Sequence, residues 1–160
     1  MSVGIRIEKA TADDARDIWL WRNDAQTRAM SLTAGEVCWN SHSAWYAAAL
    51  VNPSRVLFIG TLAGEKVGLC RFDVSEDGES AEVGINLNPA MRGRRLSAAL
   101  LSRAITEFRK ERPAFLTATI RKSNSASIKC FCRCGFSLQR ADAECNYYVL
   151  GALPSPTEHS

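Results

Sequence analysis

Glu82-Val83-Gly84-Ile85-Asn86-Leu87-Asn88-Pro89-Ala90-Met91-Arg92-Gly93-Arg94-Arg95-Leu96-Ser97-Ala98-Ala99-Leu100-Leu101 reads as a strand, a tight loop and a helix. Val83, Ile85 and Leu87 alternate with Gly84, Asn86 and Asn88, the period of a strand. Pro89 has no N–H to give a ladder, so the strand ends there. From about Leu96 a helix carries Leu96, Ala99, Leu100, Ala104, Ile105 and Phe108 on one stripe. Ser97 lies near its start and Pro113 beyond its end. Between the two stands Arg92-Gly93-Arg94-Arg95. A loop that feeds a helix N-terminus presents unpaired N–H groups and the positive end of the dipole, a ready site for an anion. Three arginines add charge and forked donors suited to phosphate. On composition alone this is a solvated basic turn. The order strand, proline, Arg-Gly, apolar helix is what points to a ligand.

The segment Asn88 to Ser97 resembles the acetyl-CoA pyrophosphate loop of the GNAT N-acetyltransferases, whose pattern is Arg/Gln-x-x-Gly-x-Gly/Ala. Arg92 fits the first position. Arg95 and Ser97 stand where the pattern has its glycines, which let the backbone approach a phosphate closely. A second segment, Asn124-Ser125-Ala126-Ser127-Ile128-Lys129-Cys130-Phe131-Cys132-Arg133-Cys134-Gly135-Phe136, is similar to the family's Asn-x-x-Ser/Ala-x-x-x-Tyr/Phe-x-x-x-Gly-Phe signature. The resemblance implies acetyl-CoA as co-substrate, held by the backbone of Ile85, Asn86 and Leu87, with Arg92, Gly93, Arg94, Arg95, Leu96 and Ser97 around the pyrophosphate. It sets Asn124 against the pantetheine arm and Phe131 beside the cofactor. Ile85 and Leu87 are equally core residues by pattern, and Asn124 is equally a helix N-cap.

The chain has 160 residues, 46% of them apolar and 23% charged, with a net charge of +3. That suits one domain with a real core, taken here as residues 1–153 with 154–160 as a flexible tail. The charge is too small to argue for nucleic acid. The first residues have no signal-peptide core and no apolar run approaches the roughly 20 residues that span a bilayer, so a cytoplasmic protein is expected. Of the six cysteines, Cys130, Cys132 and Cys134 form C-x-C-x-C, not the C-x-x-C pairs of zinc sites. Reduced thiols acting as small hydrophobes are expected, and no metal.

In chain order, Val3 to Glu8 alternates as a first strand. Thr11 caps a helix whose first turn holds Asp13 and Asp14, and Trp21-Arg22-Asn23-Asp24 closes it. A second helix covers Trp39 to Val51, stopped by Asn52-Pro53. Val56–Leu62 and Val67–Val74 form a hairpin, and Glu76-Asp77-Gly78-Glu79 turns into the strand at Glu82. After the long helix come a strand at Ala114–Ile120, a helix at Ser125–Arg133 ended by Gly135, and strands at Phe136–Gln139 and Tyr147–Leu150. This order gives an α/β (α+β) fold with a mixed, mostly antiparallel central sheet and helices on both faces, as the GNAT resemblance also implies. The strand at Tyr147–Leu150 offers an edge on which a homodimer could pair.

Acetyl transfer to an amine requires proton removal, carbonyl stabilisation, a held cofactor and a departing thiolate. Glu82 is the expected base: it begins the central strand, on the face of Gly84 and Asn86. His42 is the alternative, with Glu79 and Glu36 behind it; a solvated strand-end acid and a core histidine are their plain readings. The family often has a Tyr as general acid at the position of Phe131, which cannot donate. Tyr147 is the first substitute, ahead of Tyr148, Ser127 and Cys130.

Trp21-Arg22-Asn23 with His42-Ser43-Ala44-Trp45-Tyr46 resembles the GNAT branch acting on UDP-linked amino sugars in pseudaminic or legionaminic acid biosynthesis. It implies that Arg22 meets a nucleotide phosphate or base, that Trp21 or Trp45 stacks on uracil or sugar, and that Asn23 and His42 bond hydroxyls. Helix-to-sheet packing is the plain account of the tryptophans. A protein N-terminal acetyltransferase of the ribosomal-protein type is a second reading, and a degenerate domain that only binds a ligand or partner is a third. A basic, aromatic pocket favours the nucleotide sugar; an acidic groove favours a peptide.

Overall fold

The structure, a computed structural model, describes residues 4–32 and 35–151. Strand β1 (Arg6–Lys9) leads through a 3-10 turn at Ala12–Asp14 to α1 (Ala15–Asn23), α2 (Ala25–Met30) and α3 (Trp39–Val51). Then come β2 (Arg55–Leu62), β3 (Glu65–Val74), β4 (Ser80–Leu87), a second 3-10 turn at Pro89–Met91, α4 (Ser97–Arg109), β5 (Phe115–Arg121), α5 (Ser125–Arg133), β6 (Ser137–Ala141) and β7 (Cys145–Leu150). One seven-stranded sheet has the order β1-β2-β3-β4-β5-β7-β6. Every pairing is antiparallel except β4 with β5.

The expected sheet and the long helix are both present, but the strand at Tyr147–Leu150 is not the expected edge: it lies in β7, paired on both sides by β5 and β6. One helix was not anticipated. Asn23-Asp24 reads as a helix end, and it is one, but the Asp24 carboxylate also accepts the Thr27 N–H at 3.1 Å and so caps α2. Thr11 caps the 3-10 turn reciprocally with Asp14, whose carboxylate accepts the Thr11 N–H at 2.8 Å. The expected tail at 154–160 and the start of the first strand at Val3 lie outside the described residues.

Alternation sorts each strand onto two faces. Phe58, Cys70, Phe72, Ala81, Val83, Leu116, Ala118 and Ile120 face α4 and α5 and form the main core with Leu101, Ala104, Ile105 and Phe108. Phe72 stacks on Phe108 with centroids 4.1 Å apart. Leu57, Ile59 and Leu69 face the other way, against Ile18, Trp21, Tyr46 and Ala49 of α1 and α3. These two helices cover β2, β3 and part of β4. On the same face, Arg71, Asp73, Glu82, Gly84, Asn86, Thr117 and Thr119 remain as a polar floor, none of them buried.

The parallel pairing of β4 with β5 places the site. It runs only from Ser80↔Phe115 to Glu82↔Thr117. From Val83 onward the two strands part, leaving a wedge at their C-terminal ends.

Candidate active site

The main chain of β4 is divided by register. The Asn88 N–H donates to Val67 O at 2.8 Å, and β3 and β4 pair without a bulge. Hydrogen-bonded pairs alternate in an antiparallel ladder, so Asn86, Gly84 and Glu82 point their main-chain groups at β3. Val83, Ile85 and Leu87 point theirs toward β5. Ile85 and Leu87 lie beyond the last β4–β5 pair, so their amides open into the wedge. Their side chains pack as core: Ile85 against the α4 face, Leu87 against Ile5, Val67 and Leu100. Asn86 is half-buried on the opposite, polar face.

Next to the wedge, the loop after Met91 reaches α4. Among the described residues, none of the main-chain amides from Gly93 to Ala99 donates to another protein group, whereas Met91 and Arg92 donate to Asn88 O and Pro89 O. Gly93 has φ 76 and Arg95 φ 57. Arg95 therefore adopts the left-handed conformation that a glycine would take in the family pattern, and its side chain is exposed. The loop keeps the glycine backbone shape without the glycine. Free amides at the head of a 13-residue helix form an anion cradle. Asn124 caps α5, its Oδ1 accepting the Ser127 N–H at 3.2 Å, while its side-chain NH2 has no partner among the described residues.

The side chain of Arg92 goes elsewhere. It reaches across to α2, pairing with the Asp24 carboxylate and donating to Thr27 Oγ1 at 2.9 Å. The Asp24 carboxyl is held below its ordinary range, first by this hydrogen bond. Arg94 contacts the Met91 sulfur at 3.1 Å. Arg92 thus contributes as a tether of the loop, a correction to its expected contact with phosphate.

On the polar floor, Glu82 is exposed, directly opposite Asp73 and beside Thr117. Arg71 lies over Gly84, its guanidinium 3.5 Å from where a Cβ would stand. Arg71 and Arg55 flank Asp73, at 3.3 and 3.7 Å, yet Arg71 Nε and Asp73 Oδ1 are buried without a hydrogen bond. The wall of this floor is Trp45, with the Arg22 guanidinium 5.1 Å and that of Arg55 5.7 Å from its ring centre. Burial, then the charge of Arg71, lowers the pKa of Arg22. Arg22 pairs with no carboxylate among the described residues. Arg71, Asp73 and Arg55 were not singled out in the sequence. The signal available was two charges, Arg71 and Asp73, on one face of an otherwise apolar strand.

Several expected site residues are engaged otherwise. His42 is fully buried, with Nε2 2.9 Å from Ala15 O and Nδ1 3.3 Å from Arg22 Nη1; both nitrogens are occupied, so it is neither base nor hydroxyl partner. Burial, opposed by the Ala15 bond and aided by Arg22, lowers its pKa. Trp21 is 5% exposed and packs in the core under α1, so it cannot stack on a ligand. Asn23 clamps the loop before α3, donating to Val37 O at 2.7 Å and accepting the Val37 N–H at 2.9 Å. Tyr147 donates its hydroxyl to Asp142 at 2.8 Å beneath the Arg140 guanidinium, and that bond raises its pKa. Phe131 is a core residue, edge-on to Phe136 at 5.0 Å. Of the other acid substitutes, Tyr148 and Cys130 are buried. Arg22 and Trp45 are the expected acceptor residues that do reach the floor.

Among the described residues no helix is long and apolar enough to cross a membrane, and no group of His, Cys, Asp and Glu is arranged to hold a metal. A family model described as an acetyltransferase (GNAT) domain matches residues 5–137. No curated protein matches the sequence. Similar solved structures include spermidine N-acetyltransferase from Vibrio cholerae in complex with CoA and spermine, with a TM-score of 0.83 and 14% identity over 93% of this chain and 96% of that one. An aminoglycoside acetyltransferase in complex with coenzyme A aligns with a TM-score of 0.78 and 18% identity over 92% and 95%. RimL, a ribosomal alpha-N-protein acetyltransferase in complex with coenzyme A, gives 0.81 and 14% over 94% and 96%. At such identities the shared property is the fold.

Proposed function

The chain belongs to the GNAT acetyltransferase family and is an acetyl-CoA-dependent N-acetyltransferase, and from that premise we propose that its acceptor is the primary amine of a nucleotide-linked amino sugar. The observation that carries this reading is the charge of the acceptor floor. Arg55 and Arg71 flank Asp73, and Arg22 lies with Arg55 over the face of Trp45, so three guanidiniums outnumber the floor's two carboxylates, Asp73 and Glu82. A diphosphate supplies the missing negative charge, guanidiniums match phosphate oxygens in paired geometry, and Trp45 offers a stacking surface for a base or sugar ring. A polycation such as spermine meets a floor with more positive than negative charge, which disfavours it. An acidic groove for a basic peptide is not what these residues make.

In this reading the amides of Gly93 to Ala99 hold the cofactor's pyrophosphate, and those of Ile85 or Leu87 polarise the acetyl carbonyl as charge develops on its oxygen. Glu82 takes the proton of the attacking amine, directly or through water. No acid is required of Phe131, because a thiolate is a tolerable leaving group near neutral pH. The protein works in the cytoplasm, where acetyl-CoA and nucleotide sugars meet.

The test is turnover and thermal shift with acetyl-CoA crossed against a UDP-amino sugar, spermine and an N-terminal peptide. Acetylation of the sugar, with UDP-sugar stabilisation added to that of acetyl-CoA, is the expected result. Turnover of spermine or peptide in its place overturns the acceptor assignment. Absence of any acetyl-CoA binding would turn the reading toward a degenerate domain.

A further inference from the structure

We infer that His42 is a positioning residue for the acceptor, fixing Arg22 from inside the core as a cation aimed at the acceptor's anionic group. This role rests on the acceptor reading above. It starts from one carbonyl. Ala15 O only accepts, so the His42 Nε2 beside it, at 2.9 Å, carries the proton. In the neutral ring Nδ1 then holds a lone pair, and Arg22 Nη1 donates to it at 3.3 Å. The tautomer is set by the backbone of α1 and read out by a side chain seven residues further along the same helix.

The ring itself cannot swing away. It stacks on Tyr46, centroids 5.8 Å apart and planes within 14°, and Tyr46 is fastened by its hydroxyl to Thr11 O at 2.6 Å. Trp39 and Trp45 close the other sides, each 5.9 Å from the imidazole. Arg22 is thereby laid across Trp45. A purely structural role would be met better by an apolar side chain. Arg22 is a half-buried cation beside a second cation, Arg71, with no carboxylate partner among the described residues, and burying charge without a partner is unfavourable. An anionic ligand offsets that cost. A pinned guanidinium also loses less rotamer freedom when it binds than a free one.

The experiment uses UDP as the probe, by calorimetry, on the wild type, His42→Leu, His42→Asn, Arg22→Met and the double variant His42→Leu/Arg22→Met. Acetyl-CoA affinity and thermal melts report on folding. The expected result is a loss of UDP affinity of about tenfold in His42→Leu and in Arg22→Met, unchanged acetyl-CoA affinity, and a double variant no weaker than either single one. His42→Asn, whose side-chain oxygen falls near the Nδ1 position, restores most of the affinity. With an acceptor that turns over, KM rises and kcat holds. Wild-type UDP binding that survives in His42→Leu, or single losses that add in the double variant, would overturn the role and leave the acceptor reading intact. No UDP binding by the wild type would remove the acceptor reading, and the role with it. Should His42→Leu not fold, Arg22→Met still tests the pairing: the 15N signal of His42 Nδ1 shifts when its donor is lost, and an unmoved signal contradicts it.

Discussion

Arg92 and Asp24, 68 positions apart in the chain, are joined side chain to side chain. The bond fastens the turn before the amide cradle to the N-cap of α2. A second fastening runs parallel to it: Asn88 donates to Lys66 O at 2.8 Å, and the Lys66 ammonium pairs with Asp14 and Asp17 at 2.7 and 2.8 Å. The loop before α4 is thus held from the side of α1 and α2. Asp24→Asn isolates the ion pair, because asparagine still caps a helix. We expect it to remove about 1 kcal/mol of loop anchoring, read as an acetyl-CoA Kd raised about fivefold with the melting temperature little changed.

Arg95 sits at φ 57, where a side chain costs about 1 to 2 kcal/mol relative to the right-handed region. Arg95→Gly relieves that strain at the position the family pattern gives to glycine. The expected outcome is a melting temperature higher by about 2 to 4 °C and acetyl-CoA affinity at least equal to wild type, by thermal melt and calorimetry. A substitution to Ala keeps the strained φ and brings no such gain.

Glu82 stands at the last residue pair before β4 and β5 separate, exposed at the wedge. Replacement by Gln keeps shape and removes basicity. In steady-state assays kcat should fall by about 10²-fold or more, with acetyl-CoA affinity unchanged. A kcat within twofold of wild type would take the base role away from Glu82.

His42 links stability to pH. Its folded-state pKa lies below the ordinary value because burial and Arg22 disfavour the imidazolium. The unfolded chain therefore binds this proton first as pH falls. The sign follows: the stabilising contribution is complete above about pH 6.5 and declines as pH drops below that value toward the folded-state pKa. Urea unfolding from pH 7.5 to 5 should show this slope in the wild type and a reduced one in His42→Asn.

The strands and the long helix were legible because hydrophobic alternation and helical stripes report burial, which is what orders β4 and α4; the wedge depends on where the β4–β5 pairing stops. Gly135, at φ 96, and the Asn124 cap follow from local chemistry, so α5 was read to the residue. The acceptor floor was not legible to the same degree. Trp21, Arg22 and Asn23 are adjacent in sequence, but a helix turns them about 100° apart, and they end in the core, on the floor and in a loop clamp. Adjacency on a helix is not proximity at a site. For His42 the core reading holds and the base reading does not, for a related reason: its ring is set by Ala15 O, 27 positions away, a partner no local pattern announces. The Arg71–Asp73–Arg55 group depends on the pairing of β2 with β3, in which Arg55 stands opposite Asp73.

The central claim is that the backbone between Gly93 and Ala99 receives the diphosphate of acetyl-CoA. Backbone 15N–1H spectra of the labelled protein, titrated with acetyl-CoA, test it most directly. The account predicts large downfield shifts confined mainly to the Gly93–Ala99 amides and to Ile85 and Leu87, saturating together. Binding that leaves the Gly93–Ala99 amides unmoved would contradict it.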